Sequence, residues 1–314
     1  MKLLLDRVGR LLLVMGGVSF LVFLLLDLLP GDTAEVIVSG SGDPSPGAVE
    51  AMRAQLGLDR PVLVRYVDWV FGATQGDLGT SYRTGQEVSA AILERLPVTF
   101  QLILMVEVLA LLVAVPLVML VATRRDGILD RVVAGCCFAF QAIPNFMFAL
   151  LAILLFSVTL RWLPALGYVP ATEDFGGSLK SLAIPTMALA AGLIPVYVRV
   201  LRNEMIRTLQ EDFILVGRAL GLPKWKLLLQ YALRPSLPTL ITVVGVNIGT
   251  LVGGTVIVEV ISGVPGTGTL LLDAINSVDY VLVQGIVLVI AATYVLANFA
   301  VDLINVTIDP RMRG

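Results

Sequence analysis

The chain has 314 residues, 57% of them hydrophobic and only 15% charged, with a mean hydropathy of +0.91. Soluble domains carry about 25% charged residues, so this composition excludes an ordinary soluble protein and points to a polytopic membrane protein. The net charge of −2 argues against a nucleic-acid binder, and the complete lack of histidine removes the commonest metal ligand and the commonest general base. The only cysteines, Cys136 and Cys137, are adjacent. Neighbouring cysteines rarely bridge without strain, and a tetrahedral metal site needs more ligands. We read them as small residues packed within the membrane.

A bilayer core of roughly 30 Å takes about 20 apolar residues in helix. Six segments predict such spans: Leu11–Leu29, Leu96–Ala122, Val132–Leu160, Leu182–Val198, Ser236–Val258 and Val281–Val301. The expected fold class is therefore an all-α integral membrane protein with six transmembrane helices. The first segment is longer than a signal-peptide apolar region of about 7–15 residues and no small-residue cleavage site follows it, so it is read as a span. The loop from Pro30 to Leu96 is expected to fold rather than trail. In it Ser45 can cap a helix, Pro46 suits the first turn and Gly57 suits a helix end. Tyr66, Trp69, Val70 and Phe71 form an apolar stripe suited to the membrane interface. With the N-terminus inside, the inner segments hold 15 of the 22 Lys and Arg, which predicts both termini in the cytoplasm.

No motif for bond chemistry is found. There is no G-x-x-x-x-G-K-[ST]. The nearest imitation, "GVPGTGTL" at Gly263–Leu270, lacks the lysine, and Pro265, Gly266 and Gly268 are read as a tight outer turn. H-E-x-x-H is impossible without histidine, and G-x-S-x-G does not occur. No catalytic residue, cofactor site or metal site is predicted. Polar groups within the spans are few. Glu107 lies mid-span, Gln141 and Asn145 flank "AIP" with Pro144, Asn247 lies in the fifth span and Glu259 at its outer end. These six are the candidates for path or gate, because ionisable groups within a bilayer are costly and usually face a cavity or a partner. For Glu107, burial against a neighbouring helix is an equal reading; Asn145 and Asn247 also suit hydrogen bonds between helices. Pro144 and Pro195 are expected to break helical hydrogen bonds locally. Gly245, Gly249, Gly253 and Gly254 permit close helix approach and suit a crossing between subunits.

One stretch differs from the rest. "DFILVGRALGLPKWKLLLQYALRP" places Arg218, Lys224, Lys226 and Arg234 among apolar residues on the cytoplasmic side. A short helix before Gly221 and another after Pro223 are expected, with Gly221 permitting the sharp turn. The stripe Phe213, Val216 and Leu220 can enter a groove on a partner. The alternative is an amphipathic pair lying on anionic lipid.

These blocks carry a resemblance over essentially the whole chain. "RVGRLLLVMGGVSFLVFLLLDLLPGD", "LGLDRPVLVRYVDWVFGATQGDLGTSY", "AIPNF", "EVISGVPGTGTLLLDAINSVDYVLVQG" and "IDPRMR" occur in an order that resembles the first permease subunit of ATP-binding-cassette (ABC) importers of the oligopeptide, dipeptide and nickel uptake type. The resemblance implies the type I ABC importer permease fold with a periplasmic insert after the first helix. It divides the chain into 1–95, the first helix plus insert, and 96–314, the permease core with a cytoplasmic coupling segment at 203–234.

It also places Asp212, Phe213, Leu215, Val216, Gly217, Arg218, Ala219, Leu220, Gly221 and Leu222 on the family's coupling motif E-A-A-x-x-x-G. Leu215, Val216 and Gly217 stand where that motif has Glu-Ala-Ala. The implied partners are a second homologous permease, two ABC ATPase subunits that bind the ATP and magnesium, an extracytoplasmic substrate-binding protein and membrane lipid, with no nucleic acid. The implied location is the bacterial cytoplasmic membrane and the implied cargo di- or oligopeptides. A nickel chelate, glutathione or another small solute is the alternative cargo. A secondary transporter driven by an ion gradient predicts an inverted repeat, and no symmetry between the halves is visible.

Overall fold

The computed structural model describes residues 2–28, 34, 35, 38, 45–55, 57–125 and 127–308. Its elements are helices: α1 (Lys2–Leu28), α2 (Pro46–Gln55), α3 (Val62–Thr74), α4 (Val88–Val121), α5 (Ile128–Ala142), α6 (Asn145–Ala152, continued by π-type turns over Ile153–Thr159), α7 (Phe175–Leu209), α8 (Asp212–Ala219), α9 (Lys224–Gly254), α10 (Val256–Ser262), α11 (Thr267–Asn276) and α12 (Tyr280–Ile308). Among the described residues four helices are long and apolar enough to cross a membrane. The count rises to six when each of two broken pairs, Ile128–Ala142 with Asn145–Thr159 and Val256–Ser262 with Thr267–Asn276, makes one span. The chain divides into two compact units, Met1–Thr99 with Pro265–Leu296, and Phe100–Val264 with Ala297–Gly314.

In the first unit the described residues from Ser45 to Thr74 form two helices where the caps predict. α2 begins at Pro46. The Ser45 carbonyl accepts from the N–H groups of Ala48 and Val49, and Gly57 follows the helix at a φ of 63°. The aromatic stripe of α3 divides. Tyr66 sets its ring edge-on to Phe20 and Phe23 of α1 and shares a 2.8 Å hydrogen bond with Ser19, while Trp69 packs on Phe23 and Phe71 stays exposed. The core joins Leu78, Val88 and Ile92 to Ala274, Leu282 and Ile286. α12 comes so near α4 here that a Cβ on Gly285 would lie 2.4 Å from Val88 Cγ1. Ser81 donates to the buried Asp279 carboxylate. Burial, and then the same carboxylate, push the Tyr82 hydroxyl above its ordinary pKa.

In the second unit α7 is the central rod, packed by α5, α6, α9 and α10. It extends beyond the expected span at both ends, since Arg199, Arg202 and Arg207 end an apolar count without ending a helix. It also runs unbroken through Pro185 and Pro195. At Pro195 the loss stays with the one hydrogen bond that a proline cannot donate, and the helix continues past it. At Pro144 the helix itself ends. Pro144 is extended at φ −61° and ψ 144°, and the α5–α6 pair bends by 96°. The fifth span differs as well. The helix expected after Pro223 and the span expected from Ser236 are one element, α9, joined by π-type turns over Leu227–Leu233.

Candidate coupling segment and polar groups of the spans

α8 is built from local rules. Asp212 sits in its first turn and Arg218 in its last, each complementing the helix dipole. Gly221 closes it at φ +76°. The Gly221 N–H reaches the Arg218 carbonyl at 3.0 Å and the Leu222 N–H reaches the Gly217 carbonyl at 3.1 Å, the two bonds of a left-handed helix stop. That backbone is what demands glycine, for a Cβ there would meet no atom within 4 Å.

The two faces of α8 are distinct. Ile214 and Gly217 are buried, whereas Phe213, Leu215, Val216 and Leu220 are exposed, Leu220 to 76%. Leu222 is half-buried and Ala219 exposed. At Gly217 a side chain would press on the ends of two leucines. A Cβ there would come 2.8 Å from Leu227 Cδ2 and 3.3 Å from Leu222 Cδ1.

The six candidates of the spans do not form one site. Glu107 is 5% exposed and accepts a 2.7 Å hydrogen bond from the Tyr197 hydroxyl. Glu107 Oε1 has no hydrogen-bond partner. Asn247 donates to the Val243 carbonyl of its own helix at 2.8 Å. Gln141 is elsewhere, accepting from Arg199 at 3.0 Å. Asn145 opens α6 and lies over a notch in α7, where a Cβ on Gly192 would fall 2.4 Å from its Oδ1. Pro144 is exposed at the bend. Glu259 is fully buried and accepts from Thr255 at 2.9 Å. Of the small residues in α9, Gly245 makes a crossing within the chain, its position for a Cβ lying 1.7 Å from Val301 Cγ2, and Gly254 faces open space.

At the predicted outer turn Gly263 is left-handed at φ 63°, Gly266 caps α11, and Gly268 is buried in its first turn. Pro265 opens the part of this stretch that belongs to the first unit. Thr267 is tied to Thr99 by two hydrogen bonds of 2.8 and 3.1 Å.

Sequence spacing missed two pairings. Asp130, 3% exposed, takes two hydrogen bonds of 2.6 and 2.5 Å from Arg202 and so clasps α5 to α7. Tyr197, 90 positions from Glu107, carries no polar signature of its own in an apolar run. An isolated aspartate at a span end is the one available signal for the first, and its partner is not legible.

Helices of this length and apolarity define a multi-pass membrane protein. Residues 114–314 match the family model described as "Binding-protein-dependent transport system inner membrane component", and residues 1–103 match that of its N-terminal part. The chain belongs to this family of inner-membrane permease components. A putative peptide transport system permease protein of Brucella abortus (strain 2308) is 39% identical over 99% of this chain and 98% of its own length. A probable D,D-dipeptide transport system permease protein of Escherichia coli (strain K12) is 35% identical over 99% of this chain and 97% of its own. Among solved structures, an inward-facing form of the MetNI methionine ABC transporter is similar, with a TM-score of 0.58 and 18% identity over 69% of this chain and 96% of that one. The fold is that of a type I ABC importer permease.

Proposed function

We propose that this permease forms half of the translocation path of an ATP-driven importer of di- and oligopeptides, and that α8 is the handle by which ATPase subunits move it. The observation that carries the reading is the division of α8. One side is buried on its own chain and the other presents Phe213, Val216 and Leu220 outward, as insertion into a partner's groove requires. The peptide cargo is supported by the printed names of the relatives.

In this reading a second, homologous permease completes the path and two ATPase subunits bind ATP and magnesium. A binding protein outside the membrane delivers the cargo. Both termini and α8 lie in the cytoplasm, supported by the charge distribution. The division into 1–95 and 96–314 is supported by the two family matches. ATP binding closes the ATPases, their closure shifts α8, and α9 carries the shift into the membrane. This chain contributes positioning and motion, and the ATPases contribute bond chemistry.

The test is uptake in membrane vesicles. ATP should drive import, and an ionophore should not abolish it. Gly221→Trp forces a side chain into a left-handed backbone. It should insert normally yet lose ATPase association or leave hydrolysis uncoupled from uptake. Wild-type uptake by that variant would overturn the assignment of α8.

A further inference from the structure

The first unit holds a cavity of about 720 Å³, walled by α1, α3, α4 and α12. That volume falls in the range of ligand pockets, roughly 300–1,000 Å³. Its depth follows from its walls. On α12 it runs from Leu288 to Leu296, about 12 to 24 Å along the helix from Tyr280. On α1 it begins at Leu11, within the apolar run Leu11–Leu24. A bilayer core is roughly 30 Å thick, so the cavity stands in the hydrocarbon layer.

The lining restricts the occupant. Among the described residues no charged side chain lines the cavity. Of the four hydroxyls on its wall, three are answered within it. Ser19 and Tyr66 share a hydrogen bond of 2.8 Å, and the Gly16 carbonyl lies 3.0 and 3.1 Å from the same two hydroxyls. Thr74 donates to the Phe71 carbonyl at 2.7 Å, which leaves Ser89. An occupant held by hydrogen bonds has little to grip. Leu12, Leu93 and Leu296 line the cavity and are also 64%, 66% and 57% exposed, so it opens between leucines onto the lipid-facing surface of the spans. A helix docking in lipid needs small residues or hydrogen-bonding groups where it approaches, and these leucines offer neither. We infer that this cavity takes an acyl chain of a membrane phospholipid, which enters between the three leucines. Filling it restores the contacts that a void denies its lining. The inference rests on the membrane-spanning fold and not on the cargo or the role of α8.

Trp69 stands on the wall, and Trp162→Phe with Trp225→Phe makes it the only tryptophan of the chain. The test reconstitutes that full chain in phosphatidylcholine mixed with phosphatidylcholine brominated at mid-chain, whose bromines quench tryptophan on contact. Trp69 should be quenched, and its fluorescence should fall linearly with the brominated fraction, as one chain in one site requires. No quenching, or the steep fall that many annular neighbours give, overturns the inference. Gly16 supplies a second arm. It lines the cavity, and a Cβ there would meet no atom within 4 Å, so Gly16→Leu adds a side chain without a clash at its base. That variant should lose most of the quenching, and undiminished quenching overturns the inference. The titration of the unfilled cavity does not depend on how Gly16→Leu folds. In the assembled importer, with Cys136→Ser and Cys137→Ser, a photoactivated crosslinker on Ala292→Cys should capture lipid. Capture of a second permease gives the cavity to a helix and overturns the acyl-chain reading.

Discussion

Phe213 and Ile214 are adjacent on α8, yet Ile214 is fully buried and Phe213 is 45% exposed. Their truncations should therefore separate stability from coupling. Ile214→Ala opens a cavity and should cost about 2–5 kcal/mol, read as a lowered unfolding midpoint in detergent. Phe213→Ala should stay within about 0.5 kcal/mol of wild type in the same assay and weaken ATPase association instead. The exposed stripe was legible from helical period alone, and Gly221 from the rule that a left-handed helix stop needs glycine. Gly217 was not. What a side chain there would meet is Leu227 from the next helix, which no local pattern encodes. The same holds for Glu107: its place mid-span could be read, but the Tyr197 hydroxyl that meets it comes from another helix.

Among the helices, α5 and α7 are clasped by Asp130 and Arg202. Asp130→Asn removes the carboxylate charge that the Arg202 guanidinium grips. Arg202 is 25% exposed, so water recovers part of the loss and the cost should be about 2 kcal/mol rather than the 3–5 of a fully buried pair. In a double-mutant cycle, Asp130→Asn with Arg202→Met should cost less than the sum of the two singles, measured by thermal unfolding in detergent; additive costs would mean the clasp contributes nothing. Span composition made most of these helices legible, because apolar runs of such length have one stable form in lipid. Their ends were less so. Charge stops an apolar count at Val198, while the hydrogen bonds of α7 continue to Leu209. Proline proved ambiguous in the same way: Pro144 stands at a break between two helices, whereas Pro195 lies within one continuous helix.

For the molecule as a whole, sidedness is the property that composition predicts and labelling reads. In a background of Cys136→Ser and Cys137→Ser, Gln86→Cys should react with an impermeant maleimide in intact spheroplasts. Glu211→Cys should react only after they are opened. Both positions are exposed. Reaction of Glu211→Cys in intact spheroplasts would reverse the topology. The core of the first unit has a consequence of another kind, in time rather than in space. Leu78, Val88 and Ile92 are made early, and their partners Ala274, Leu282 and Ile286 late. Between Ile92 and Ala274 lie about 180 residues, and ribosomes add roughly 5–20 residues per second, so this core stays half-built for about ten to forty seconds. For that interval the apolar face that α12 will cover has to be sheltered by lipid or by a helper of membrane insertion.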